Sequence, residues 1–187
     1  MSEALRQLNK EHADFSKLLD LLDRELAVFA AGERPDYDLV GAVIDYCLDY
    51  PDAVHHPKED LIYRILKSRD AELARIVGDL EEEHRQIGAL TRELAEAMRR
   101  VLAEELVDRQ AVHELTQGFV RRYRDHIALE NDRVFPAAVQ ALSQDDWAGI
   151  DARLEHRDDP LFGDAVVDRF RALRANIEGL AVIARGA

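Results

Sequence analysis

The sequence predicts an all-α protein, built as an up-down-up-down four-helix bundle with additional C-terminal helices. Helix-forming residues dominate the 187-residue chain, and its 9 glycines and 5 prolines leave little room for the turns of an all-β fold. Apolar residues recur at alternating spacings of three and four in four long segments. The connections between these segments are short, so consecutive helices should be antiparallel neighbours.

The first two helices have clear boundary signals. Helix one starts near the beginning of the chain and is ended by Gly32 and Pro35. Helix two runs from about 36 to 68. It contains Pro51 and Pro57, which predict a kink or a short break because proline lacks the N–H that the helix needs.

Helices three and four span about 71–104 and 108–141 and complete a bundle that we assign to residues 1–142. The remainder, 143–187, is predicted to be a helical extension that packs on the bundle rather than a second domain. It opens with Ser143, which is typical of a helix N-cap.

Composition limits the partners that we expect. The formal net charge is −13, which disfavours nucleic acid and anionic membranes. No apolar run approaches the roughly 18 residues that cross a membrane. Cys47 is the only cysteine, so a disulfide framework is excluded and a cytoplasmic location is expected. A protein partner or a homo-oligomer stays open.

Histidines and carboxylates that share one level of the bundle predict a metal site. Three histidines lie in apolar stripes, and two histidines precede a glutamate by four residues, a spacing that puts both side chains on one helix face. Counted from the same bundle end, the four histidines lie roughly 18 to 20 residues up, about 28 Å. Buried carboxylates are costly without a cation, and this donor set suits non-haem iron, with manganese or zinc as alternatives. The predicted ligands are His12, His55, Glu59, His84, His126 and Glu130.

Two neighbouring residues leave alternatives open. His56 and Asp60 also have the four-residue spacing and could replace or supplement His55 and Glu59. We favour a role for His56 outside the ligand set, either as a residue that hydrogen-bonds to a ligand or at the surface. Tyr123 lies one turn before a predicted ligand and could hydrogen-bond to a ligand or to a bound oxygen species, although a core aromatic is the simpler interpretation.

The motifs resemble those of hemerythrin-like, or HHE cation-binding, domains over about residues 1–142. The matching stretches are LNKEH at 8–12, HHPKED at 55–60, EEEH at 81–84 and HIALEN at 126–131. The resemblance implies two iron ions with an oxo or hydroxo bridge. It also implies a distribution of ligands, with His12 and His55 on one iron, His84 and His126 on the other, and Glu59 and Glu130 as bridges.

One departure from the family pattern bears on function. Oxygen-carrying relatives have a further histidine on the third helix, one turn from the equivalent of His84, where this chain has Leu80 and Gly88. The predicted site therefore has four histidines rather than five, which resembles iron-sensing and nitrosative-stress relatives and puts simple oxygen carriage in doubt.

Three functions compete. The first is a protein that binds or senses oxygen, nitric oxide, peroxide or iron at a di-iron centre. The second is a di-iron enzyme of oxidative or nitrosative stress, which would reduce nitric oxide or peroxide, oxidise ferrous iron or repair iron-sulfur centres. The third, a metal-free interaction bundle, ranks last because it leaves six polar core residues to satisfy one another.

Overall fold

The computed structural model describes residues 2–154 and 157–186, and this part of the chain is helical and contains no strand. It confirms the predicted all-α fold class. Each of the bundle's second, third and fourth rods consists of two α-helices. The bounds, in chain order, are α1 Glu3–Ala30, α2 Tyr37–Tyr50, α3 His56–Arg69, α4 Ala71–Val77, α5 Leu80–Leu102, α6 Arg109–Leu129 and α7 Phe135–Ala141.

Two π-helical turns join the halves of the second and fourth rods. Pro51–His55 connects α2 to α3, and Glu130–Val134 connects α6 to α7. In the first turn the N–H of His56 donates to the carbonyl of Pro51. The kink or break expected at Pro51 is thus a wider turn that keeps the rod continuous, and such turns occur frequently at functional sites.

The third rod differs from the single helix that the sequence predicts. It breaks at Gly78, which has φ +97°, a conformation that residues with a Cβ rarely adopt. Asp79 then caps α5 by accepting the N–H of Glu82 at 3.1 Å. Helix α5 begins at Leu80, about one turn before His84, so it starts close to the level of the predicted metal ligands.

The C-terminal extension contacts the bundle at two places. Helix α8, Gln144–Asp151, lies beside the start of α1, and the N–H of Ala4 donates to Asp151 at 3.0 Å. A short 3₁₀ turn at Asp168–Phe170 leads into α9, Arg171–Gly186, which packs against α1 and α2. The last helix of the extension therefore begins at Arg171.

The core consists of two apolar clusters on either side of a polar layer. One cluster lies towards the end of α1 and includes Phe15, Leu22, Leu94 and Phe119. The other lies towards its start, and Leu8 is one of its members. Each helical rod contributes to both clusters. None of the described helices combines the length and the apolar character that crossing a membrane requires.

We expect the extension to contribute to the stability of the bundle through Phe170. This ring is buried and meets the ring of Tyr46 edge-on, with centroids 5.7 Å apart. Phe170→Ala should lower the free energy of unfolding by about 3–5 kcal/mol, as measured by urea denaturation. Val167→Ala is the matched control, because Val167 is 45% exposed and should change stability by less than about 0.5 kcal/mol. Equal effects of the two substitutions would contradict this packing.

Candidate metal centre

Seven side chains converge in the polar layer, and all seven are buried. Their ligand atoms form two groups, in each of which the atoms lie within 4.8 Å of one another. One group contains three histidines and the other contains two, and Glu59 belongs to both. The members are His56, Glu59, His84 and His126 in the first group, and His12, His55, Glu59 and Glu130 in the second.

The two glutamates connect the groups. Glu59 places Oε1 3.0 Å from Nε2 of His12 and 3.1 Å from Nε2 of His55, while its Oε2 lies 3.4 Å from Nε2 of His84. Glu130 places Oε2 3.2 Å from Nε2 of both His12 and His126, and Oε1 3.4 Å from Nε2 of His84. Glu59 therefore offers one oxygen to each group, and Glu130 contacts histidines of both groups, His12 through Oε2 and His84 through Oε1. Both carboxylates could thus be shared between two cations.

Four of the five histidines are oriented by a hydrogen bond on the outer side of the ring. An Nδ1–H that donates to an oxygen fixes the ring and leaves Nε2 free to face the centre. No such partner is present for His126. The pairs are His12 with Asn131 at 2.9 Å, His55 with Glu11 at 2.6 Å, His56 with Asp52 at 3.2 Å and His84 with Asp60 at 2.7 Å. Asp60, considered above as a ligand, serves here to hold His84.

Polar atoms without a partner are concentrated at this centre. Among the described residues, six buried side-chain atoms lack a hydrogen bond, and five of them belong to His56, Glu59, His126 and Glu130. The sixth is the hydroxyl of Tyr123. Each such atom costs about 1–3 kcal/mol. Cations bound by the imidazole nitrogens and carboxylate oxygens would remove most of this cost, so the donor set fits a pair of metal ions.

His56 is not at the surface, which was one of the two roles considered for it. It is buried, and its ring stacks on that of His84 with centroids 4.3 Å apart. Consecutive residues of a regular helix do not face the same point. His55 and His56 do so because they lie where the π turn ends and α3 begins. The two prolines that flank the pair were the one available signal, and the structure gathers five histidines rather than four.

The pKa values of the histidines in the layer are shifted in opposite directions. Burial alone would lower the pKa of His12, but hydrogen bonds to Glu130 and Glu59 outweigh it and raise the pKa to about 10. Burial is likewise outweighed at His84, whose pKa rises to about 11 through Asp60, Glu130 and Glu59. Burial prevails at His126 and lowers its pKa to about 4. Burial is outweighed at His55 as well, where the charge of Glu59 and the hydrogen bond to Glu11 raise the pKa. Without metal, protonated histidines therefore offset the buried carboxylates.

Glu11, which was not among the predicted ligands, hydrogen-bonds to the outer side of the His55 ring. Its buried carboxylate accepts from His55 Nδ1, from Lys58 Nζ at 2.9 Å and from the hydroxyl of Tyr50 at 2.9 Å. Burial would raise its pKa, but His55 and Lys58 lower it to about 2. Glu11 and Tyr50 also line a surface cavity of about 570 Å³. Only its position beside His12 could have indicated this role.

The metal-free protein should lose stability as the pH rises. His12 and His84 have a higher pKa when folded than the ordinary value of 6.5, so their stabilising effect is complete below pH 6.5 and disappears by pH 10 to 11. Between pH 7 and 10 the free energy of unfolding should fall by about 1.4 kcal/mol per pH unit for each of these two protons, and the raised pKa of His55 adds to the decline. Urea denaturation in the presence of a chelator measures the free energy of unfolding at each pH. His12→Gln should make its decline with pH less steep by the contribution of one proton. A flat profile would contradict the proton sharing.

Removing Glu11 should leave a buried cation without its partner. Glu11→Ala is expected to lower the free energy of unfolding by about 3–5 kcal/mol, because Lys58 stays charged and buried. Glu3→Ala, which removes an exposed pair with Arg6, should cost less than about 1 kcal/mol. The double variant Glu11→Ala/Lys58→Met should recover part of the loss, and a double variant as unstable as Glu11→Ala would contradict this explanation.

Comparison with known proteins adds one finding. Residues 3–138 match the family model described as the Hemerythrin HHE cation binding domain. Searches of curated proteins and of solved structures find no match. The match covers most of the chain, including all seven side chains of the centre, and the chain therefore belongs to this family.

Proposed function

We propose that this hemerythrin HHE protein holds two iron ions in the polar layer and binds or senses a small molecule there, such as oxygen, nitric oxide or peroxide. The observation that carries the proposal is the pair of buried carboxylates, each facing both groups of histidines. Hard carboxylate oxygens shared between two sets of imidazoles suit iron, and manganese and zinc accept the same ligands.

The number of side chains in each group supports binding of an added molecule. One group supplies three imidazoles and Glu59, and the other supplies two imidazoles, Glu59 and Glu130, so each group offers four side chains. Four protein ligands would leave each ion room for a molecule from outside. When bound, the metal pair would supply the redox and ligand-binding chemistry, and the protein would supply orientation and exclusion of water.

The fifth histidine makes oxygen binding compatible with this centre. Leu80 and Gly88 stand where oxygen-carrying relatives have a histidine on the third helix. Here His56 comes from the second rod and stacks on His84, so it supplies a third imidazole to the same group by another route. The number of histidines no longer separates this chain from oxygen-binding relatives.

A di-iron enzyme of oxidative or nitrosative stress is the second candidate, and one observation favours it. The chain of contacts from His55 through Glu11 to Tyr50 reaches the wall of the 570 Å³ cavity. Reduction of peroxide or nitric oxide consumes protons, whereas reversible binding does not. A polar connection from centre to surface would serve turnover directly.

Metal content per chain tests the proposal. We expect about two irons per chain after anaerobic reconstitution with ferrous iron, with charge-transfer absorption after oxidation. Glu59→Ala should lose most of the iron because Glu59 contacts both groups, whereas His113→Ala, far from the layer, should keep it. A stable, reversible spectrum with oxygen favours binding, and consumption of peroxide with a reductant favours the enzyme. Failure of the wild-type protein to retain iron would overturn the proposal.

A further inference from the structure

Tyr123 is unusual among the buried tyrosines of the described chain. The hydroxyl of Tyr46 donates to Asp159 at 2.8 Å, that of Tyr50 donates to Glu11, and that of Tyr63 donates to the carbonyl of Gly78 at 2.5 Å. The hydroxyl of Tyr123 has no partner, although the residue is only 2% exposed. A buried phenol without an acceptor is uncommon in folded proteins.

The position of Tyr123 explains what could satisfy it. It lies on α6 one turn before His126, with ring centroids 6.4 Å from His126 and 6.5 Å from His56. Its ring also meets that of Phe15, 6.0 Å away, one turn beyond His12 on α1. Ile87, buried one turn beyond His84, occupies the corresponding position on α5. On these three rods the layer next to the ligands is therefore apolar except for this one hydroxyl.

We infer that the Tyr123 hydroxyl donates a hydrogen bond to the small molecule bound at the metal pair. The inference rests on the proposed function. Five imidazoles and two carboxylates already provide the donor atoms for two ions, so the phenol is not needed as a further ligand. A buried O–H group without a partner beside cations selects a molecule that is anionic or accepts a hydrogen bond.

The test compares Tyr123→Phe with Tyr46→Phe, using azide as the probe of the oxidised, iron-loaded protein. Tyr123→Phe should keep two irons per chain and bind azide about tenfold more weakly, the change expected for one lost hydrogen bond. Tyr46→Phe should leave azide affinity unchanged. In the metal-free proteins the two substitutions should affect stability in the opposite order. Tyr46→Phe should lower stability because its bond to Asp159 is lost, whereas Tyr123→Phe should not.

Three outcomes would overturn the inference. Equal azide affinity in the iron-loaded Tyr123→Phe and wild-type proteins would remove only the role of Tyr123. A visible phenolate-to-iron absorption band in the wild type that is lost in Tyr123→Phe would make the residue a metal ligand instead. Absence of iron from the wild type would overturn this inference and the proposed function together, so the two failures are distinguishable.

Discussion

Two carboxylates buried in the middle of the bundle are the constraint on which the rest of the structure depends. Glu59 is 1% exposed and Glu130 is 0% exposed, and no arginine or lysine contacts either one in the described structure. A buried charge must be paired or bound to a cation. Every helical rod contributes an imidazole to this layer, and the apolar core is divided into two clusters around it. The centre can therefore form only when the four rods are correctly aligned.

Most of the fold and six of the seven side chains of the centre could be predicted from the sequence because both follow regular helix geometry. Apolar spacing defined the rods, and counting residues along them brought four histidines to one level. The features that escaped prediction arise where geometry is not regular. His56 faces the centre because of a π turn, and Gly78 divides a rod because of its positive φ. Glu11 was missed for another reason, since its partners come from positions 39 to 47 residues away.

The aromatic residues around the centre connect it to the C-terminal extension. Tyr50 contacts Glu11, which holds His55, and its ring stacks on that of Tyr46 with centroids 5.8 Å apart. Tyr46 in turn donates to Asp159 in the extension. Tyr46 and Tyr50 therefore share one rod with His55 but face different neighbours. A change in the orientation of His55 would first alter its contact with Glu11 and then, through Tyr50 and Tyr46, the contact with the extension.

The charge of the layer indicates which molecules it should attract. Without metal, the raised pKa values of His12, His55 and His84 favour protonated imidazoles, whose charge offsets that of the buried carboxylates. Two divalent ions would displace those protons and leave a net charge of about +2 among buried groups, where charge is poorly screened. That excess favours an anion beside the metal pair, whether a shared oxide or hydroxide or an anionic ligand from solution. The one unpaired hydroxyl on the adjoining apolar layer, that of Tyr123, is placed to make the same selection by hydrogen bonding, so charge and donor geometry act in one direction.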